Sequence, residues 1–241
     1  MGGVVRRSSP RIRFRDRAEA GRRLAERVAG LGLQRPIVLA LPRGGVPIAA
    51  EVATTIDAPL DVLVVRKVGA VGQPELAVGA IAEDGDVVLD ERGLVGQPRA
   101  ALDATIARER AEVTRRIERY RDGRPLPDVR GAEVVVVDDG LATGMTAEAA
   151  VRMLQARGAA RVVLAVPVAA RASAARLRRI CDVVTVGEPS GFGAVGAYYD
   201  DFRQVPDEEV LRLLRAHGGR RPASAGEDGS GEGTPGQDPN V

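Results

Sequence analysis

Residues 134–147, Val-Val-Val-Val-Asp-Asp-Gly-Leu-Ala-Thr-Gly-Met-Thr-Ala, constrain this chain more than any other stretch. Four consecutive valines leave no polar side to face water, so they read as a strand buried on both faces, the mark of a central parallel strand. The strand ends in two acids, Asp138 and Asp139, and small or hydroxylated residues follow until an alanine-rich helical pattern starts at Ala147. Where a loop turns into a helix, unpaired backbone amides and the helix dipole together favour an anion. Thr143 and Thr146 add hydroxyl donors, and Gly144 lets the backbone come close. Two carboxylates beside an anion site need another partner, and sugar hydroxyls or a hard divalent cation would satisfy them.

The rest of the chain supplies helices and further apolar runs. Asp16 caps a helix carrying Ala20, Leu24 and Val28 at helical spacing and ending at Gly30. Residues 37–41 form a short apolar run, followed by Pro42-Arg43-Gly44-Gly45 and a helix over 47–56. Residues 60–65 read as a second buried strand ending in Arg66-Lys67, two cations where open α/β sheets bind ligands. Glycine-rich residues 68–80 read as a mobile loop, and 81–89 as a hairpin turning at its acids. A long helix over 98–120 carries Leu102, Ile106, Val113, Ile117 and Tyr120 on one face. Beyond the acidic loop come a helix at 147–157, a strand at 161–166 closed by Pro167, a helix at 172–180, a strand at 183–186 and a last helix at 207–217. Helices alternating with short apolar runs give an α/β protein with a mainly parallel sheet. Residues 1–13 form a basic arm, 14–217 the folded domain, and residues from 218 a tail too poor in apolar surface to fold.

Composition closes several routes. Lys and Arg number 35 against 33 acids, and a net charge of +2 gives no whole-molecule argument for nucleic acid. Aromatics at 2% argue against base-stacking platforms. One Cys and one His make neither an intramolecular disulfide nor a zinc cluster, so any metal is expected to be held through oxygen. Cys181 reads as a small buried hydrophobe. There is no apolar run of membrane-spanning length, and the N-terminus lacks the apolar core of a signal peptide, so the expectation is a soluble cytoplasmic protein. Gly191, Gly193 and Gly196 match G-x-G-x-x-G, but Glu188-Pro189-Ser190 separate them from the preceding strand and no helical pattern follows, which argues against dinucleotide binding.

The succession of hydrophobic strand, two acids, Thr-Gly loop and Thr at a helix start resembles the 5-phosphoribosyl-1-pyrophosphate (PRPP) motif of the type I phosphoribosyltransferases. The resemblance implies a mainly parallel sheet flanked by helices, with a small lid or hood. It implies that Asp138 and Asp139 hold the ribose hydroxyls and that Ala142, Thr143, Gly144, Met145 and Thr146 hold the 5′-phosphate. Pro42-Arg43-Gly44-Gly45 is similar to the family's pyrophosphate loop, which carries a strained, often cis, peptide; Arg43 and Gly44 are then expected against pyrophosphate, with Arg66 and Lys67 as further basic contacts. The segment from Gly191 resembles the late loop of purine phosphoribosyltransferases, which would set Phe192 on the base and bring Asp200 or Asp201 to the magnesium shell beside Asp138 and Asp139.

Ala142 stands where hypoxanthine-guanine enzymes of the family carry an Asp, which counts against a 6-oxopurine acceptor. Adenine enzymes have Ala-Thr-Gly there and a Glu in the lid hairpin. By that likeness Glu83 is expected to assist proton transfer to the acceptor, the alternative being an exposed hairpin acid. Arg43 and Lys67 would carry the charge of the departing pyrophosphate. The resemblance further implies Mg2+, PRPP and a nitrogen nucleophile as partners, and a homodimer. A non-catalytic PRPP or nucleotide sensor with the same fold stays open, with the N-terminal arginines touching nucleic acid in that case. A receiver-type phosphoacceptor is disfavoured, because it needs a Lys after the acids and the only Lys is Lys67.

Overall fold

The computed structural model describes residues 12–89 and 95–217; most of the basic arm and the tail lie outside them. Asp16 accepts the amide of Glu19 at 2.8 Å and so caps α1 (Arg17–Ala29). Then follow β1 (Ile37–Ala40), α2 (Gly45–Thr55), β2 (Leu60–Val62), β3 (Val65–Ala70), β4 (Gln73–Ala82), β5 (Val87–Leu89) and α3 (Arg99–Arg121). The second half runs β6 (Glu133–Val137), α4 (Met145–Ala156), β7 (Arg161–Val168), α5 (Arg171–Leu177), β8 (Asp182–Gly187), a 3-10 turn (Val195–Tyr198) and α6 (Asp207–His217).

Five strands form a parallel sheet in the order β2-β1-β6-β7-β8. The chain winds outward from β1 to β2 and, later, the opposite way from β6 through β7 to β8. β1 and β6 therefore flank a topological switch point, and the crevice beyond their carboxyl ends is where such sheets bind ligands. Side chains of β6 alternate between two cores. Val135 and Val137 pack with α1, α2 and α6 on one face, while Val134 and Val136 pack with α4 and α5 on the other. All four valines are fully buried, which explains why no polar residue interrupts the run; each contributes about 1.5–3 kcal/mol of burial.

Three elements depart from the expectation drawn from sequence. The run at 60–65 is not one strand: β2 stops at Val62, and Arg66 and Lys67 lie inside β3, in a separate antiparallel sheet of β3, β4 and β5. The expected mobile loop at 68–80 is mostly the hairpin of β3 and β4, with a register irregularity at Val68 and Gly69. Pro167 sits within β7 rather than closing it. The small sheet packs between α3 and α4 as a hood, with Val64, Val68, Val78 and Ile81 against Leu102 and Val113 of α3.

Candidate functional site

The two loops at the switch point touch. β6 delivers Asp138 and Asp139 into the crevice, and β1 delivers the loop at 42–45 beside them, with the Pro42–Arg43 peptide in cis. Gly44 has ordinary helical backbone angles, so its identity is set by space: an added Cβ would meet Asp139 Cγ at 2.6 Å. At Gly45 an added Cβ would meet the Val137 carbonyl at 2.5 Å. Both glycines are therefore required by the approach of the acidic tip.

The acids differ in their surroundings. Asp138 Oδ1 accepts the Asp139 amide at 2.8 Å, and burial, reinforced by the neighbouring Asp139 charge, pushes its carboxyl well above the usual range. Burial also raises Asp139, opposed by Arg17. Arg17, the first residue of α1, donates from Nε (3.1 Å) and Nη2 (2.8 Å) to Asp139 Oδ2, and from Nη1 to the Arg203 carbonyl at 2.8 Å. Its guanidinium lies 4.1 Å from the Phe202 ring centroid, and the ion pair is 11% and 16% exposed. Tyr199 donates its hydroxyl to the Asp139 carbonyl at 2.7 Å, and burial raises its own pKa.

After Asp139 the chain bridges to β7 through Leu141, exposes Ala142 and Thr143, and enters α4 through Gly144 at φ 78°, a left-handed conformation that favours glycine. The loop is braced from α5: Ser173 Oγ donates to the Ala142 carbonyl at 2.5 Å and Arg176 Nη2 to the Thr143 carbonyl at 2.6 Å. With those carbonyls engaged by α5, the loop's shape is fixed at the start of α4, the place for an anion.

A cavity of about 390 Å3 opens against Asp139, lined by Arg17, Arg43, Gly44, Arg116, Phe202 and Gln204 among others. Arg43 Nη1 reaches Asp207 Oδ1 at 3.5 Å, an oxygen that also accepts the Tyr120 hydroxyl at 2.7 Å. That hydroxyl, with Arg43 and Arg119, holds Asp207 below the usual carboxylate range. A larger cavity of about 1010 Å3 lies between β2, the end of α3 and α6, but none of the acidic-loop residues lines it.

Of the residues singled out from sequence, Arg43, Gly44, Asp138, Asp139 and the loop at 142–146 surround the switch-point crevice. Lys67 alternates with Arg66 along β3 and shares a face with Val65, which packs in the same cluster as Met145 at the start of α4. Arg66 takes the other face and pairs with Glu109 of α3 at 2.9 Å, within the hood.

Glu83 is neither an exposed hairpin acid nor a group facing the crevice. It forms an ion pair with Arg121 at 2.9 Å, the two side chains being 4% and 1% exposed, and it accepts the Val64 amide at 3.2 Å. Phe192 stacks on Tyr198 with centroids 5.3 Å apart, and the ring lining the cavity beside Asp139 is Phe202. Asp200 is half exposed and pairs with Arg13, while Asp201 pairs with Arg203 at 2.6 Å. Neither joins Asp138 and Asp139, and among the described residues no three acids, His or Cys converge as a metal site. With Asp139 Oδ2 closed by Arg17 and Gly44, the donor set does not fit a divalent cation held by the protein.

Arg17, Arg116, Phe202, Ser173 and Arg176 were not legible as site residues. For Arg17 one signal existed: a cation directly after a helix cap opposes the helix dipole.

The family model described as a phosphoribosyl transferase domain matches residues 15–202. Two Mycobacterium tuberculosis proteins, from strains H37Rv and CDC 1551 and provisionally named phosphoribosyl transferases, are each 50% identical over 208 residues. The match covers 85% of this chain and 47% of theirs, so the chain spans about half the length of these curated relatives. The crystal structure of TT1426 from Thermus thermophilus superposes with a TM-score of 0.73 at 48% identity, covering 85% of this chain and 99% of that one.

Proposed function

Since the chain belongs to the phosphoribosyl transferase domain family, we propose that it transfers ribose 5-phosphate from PRPP to a nitrogen nucleophile, releasing pyrophosphate. The observation that carries this reading is the interlock of Asp138 and Asp139 with the 42–45 loop, beside the braced loop that enters α4. The acids would take the ribose hydroxyls, the amides of 142–146 the 5′-phosphate, and Arg43, Gly44 and Lys67 the pyrophosphate. As the bond from C1 to the pyrophosphate oxygen breaks, its electron pair leaves with pyrophosphate. The nucleophile's lone pair then forms the new C1–N bond from the opposite face, and the proton shed by the nitrogen passes to water or to the departing pyrophosphate.

None of these residues needs to become a covalent intermediate. Their work is to orient the sugar and to meet the charge that departs, both of which act most strongly in a site closed to water. Magnesium would enter as the counter-ion of the PRPP diphosphate, since Asp138, Asp139 and Asp200 do not assemble a site for it. Glu83, committed to Arg121, is not proposed as the acceptor's base.

Pyrophosphate release from PRPP, measured over purine, pyrimidine and small amine acceptors, tests the reading. The Asp138→Asn/Asp139→Asn protein is the control. Release that depends on one acceptor and disappears in the control is the expected result. PRPP binding lost in the control, with no release for any acceptor, would instead favour a sensor. The withdrawal of Glu83 from the crevice is the observation on that side.

A further inference from the structure

Asp139 already has a cation. Two nitrogens of Arg17 converge on the same oxygen, Oδ2, at 3.1 and 2.8 Å, and Gly44 lies so close to that oxygen that a Cβ there would clash with it. Arg17 engages only Oδ2, and the other contact on the carboxylate is its own backbone amide, so Arg17 does not occupy the Oδ1 edge that a ligand hydroxyl would meet. The third nitrogen of Arg17 is fixed by the Arg203 carbonyl at 2.8 Å, and Phe202 covers the guanidinium plane at 4.1 Å.

This fixing has no explanation in helix stability. Arg17 is the first residue of α1, where the helix dipole disfavours positive charge, and its neighbour Asp16 already caps the helix through the Glu19 amide. Side-chain entropy also opposes immobilising an Arg. The anchoring partners come from two distant stretches, Asp139 on the central loop and residues 202–203 near the chain's end. A divalent ion on Oδ2 would sit within a few ångströms of the guanidinium and repel it.

We propose that Arg17 is the resident counter-cation of Asp139: it, and not a protein-held divalent metal, positions that carboxylate for the ribose hydroxyls. Arg17 is thus a positioning residue acting through Asp139. The inference rests on the ribose-site reading above and adds to it that sugar-phosphate binding by this chain is independent of divalent metal.

Ribose 5-phosphate is the probe, because it carries the sugar and the phosphate without the diphosphate that brings its own metal. Its affinity is measured calorimetrically in EDTA and in magnesium for the wild type, Arg17→Lys, Arg17→Met and Asp139→Asn. Met keeps an unbranched apolar stem over Phe202, and thermal melts monitor folding. The expected result is equal wild-type affinity in both buffers. Arg17→Met should bind roughly tenfold or more weakly in EDTA, as expected for loss of a charge-assisted contact. Magnesium should restore it, and Lys should lie between.

A second readout is Mn2+ binding by electron paramagnetic resonance without ligand. It should be absent at Asp139 in the wild type, gained in Arg17→Met, and lost again when Asp139→Asn is added. Wild-type affinity that rises roughly tenfold with magnesium would overturn the proposal, as would an Arg17→Met protein that binds like wild type in EDTA. An ion pair that serves only to clamp α1 would lower the melting temperature and leave the metal dependence unchanged, which also overturns it. Failure of the wild type to bind ribose 5-phosphate in either buffer would remove the ribose-site reading itself.

Discussion

A methyl group on Gly44 would press into the Asp139 carboxylate, although the backbone there suits any residue. Gly44→Ala should therefore fold, losing about 1–3 kcal/mol to overpacking. Because the displaced group is the one proposed to hold ribose, PRPP affinity measured by calorimetry should fall far more than stability does. Glu83 makes the opposite prediction. Its carboxylate is the counter-charge of Arg121, a guanidinium that is 1% exposed and has Nε and Nη1 without hydrogen-bond partners. Glu83→Gln should cost about 3–5 kcal/mol in urea unfolding, the range for stripping one member of a buried pair. Turnover per folded molecule should stay unchanged. The contrast shows which residues a sequence reveals. Gly44 and Asp139 lie in short local patterns whose chemistry is complete within a few positions. Arg17 acquires its meaning from a partner 122 positions away, and Glu83 from one 38 positions away. No local pattern carries either distance.

Among the elements, β6 was legible because it is buried on both faces, and α1 because its cap and its apolar stripe agree. The β3–β4 hairpin was not. Gly69, Gly72 and Gly79 interrupt its alternation and imitate a loop. At Gly79 the reason is packing: a Cβ would meet the Val88 carbonyl at 2.8 Å, so a side chain at this position would press into β5. Helix α3 carries a prediction about acid. Glu112 receives Arg115 at 2.7 Å and Arg116 at 2.7 Å, and these bonds lower its pKa from 4.5 to about 2. A pKa depressed in the folded state contributes stability that is complete above the unfolded value and lost as pH falls through the folded one. The stability difference between wild type and Glu112→Gln, followed by urea titration, should thus be constant above pH 4.5 and vanish as pH approaches about 2.

At the scale of the whole molecule, the chain divides into a parallel sheet covered on both faces and a hood of three strands lying between α3 and α4. β5 contributes only three residues, all half-buried, whereas β6 and β7 sit at the centre of the large sheet. Amide hydrogen exchange should accordingly be slowest in β6 and β7 and markedly faster in β5, since opening free energy follows local burial. Equal protection across both sheets would mean that the hood and the sheet unfold as one unit. The buried Glu83–Arg121 pair gives this division a mechanical form. It fastens the turn after β4 to the end of α3, while at the turn before β4 the Val71 amide donates to the Gln97 side chain at 2.8 Å. β4 is 10 residues long, a span of about 33 Å. One end of the hood sheet is therefore fastened to the large domain by a buried charge pair. Lys67 of the paired strand lies closer to that fastened end than to the turn at 71–72.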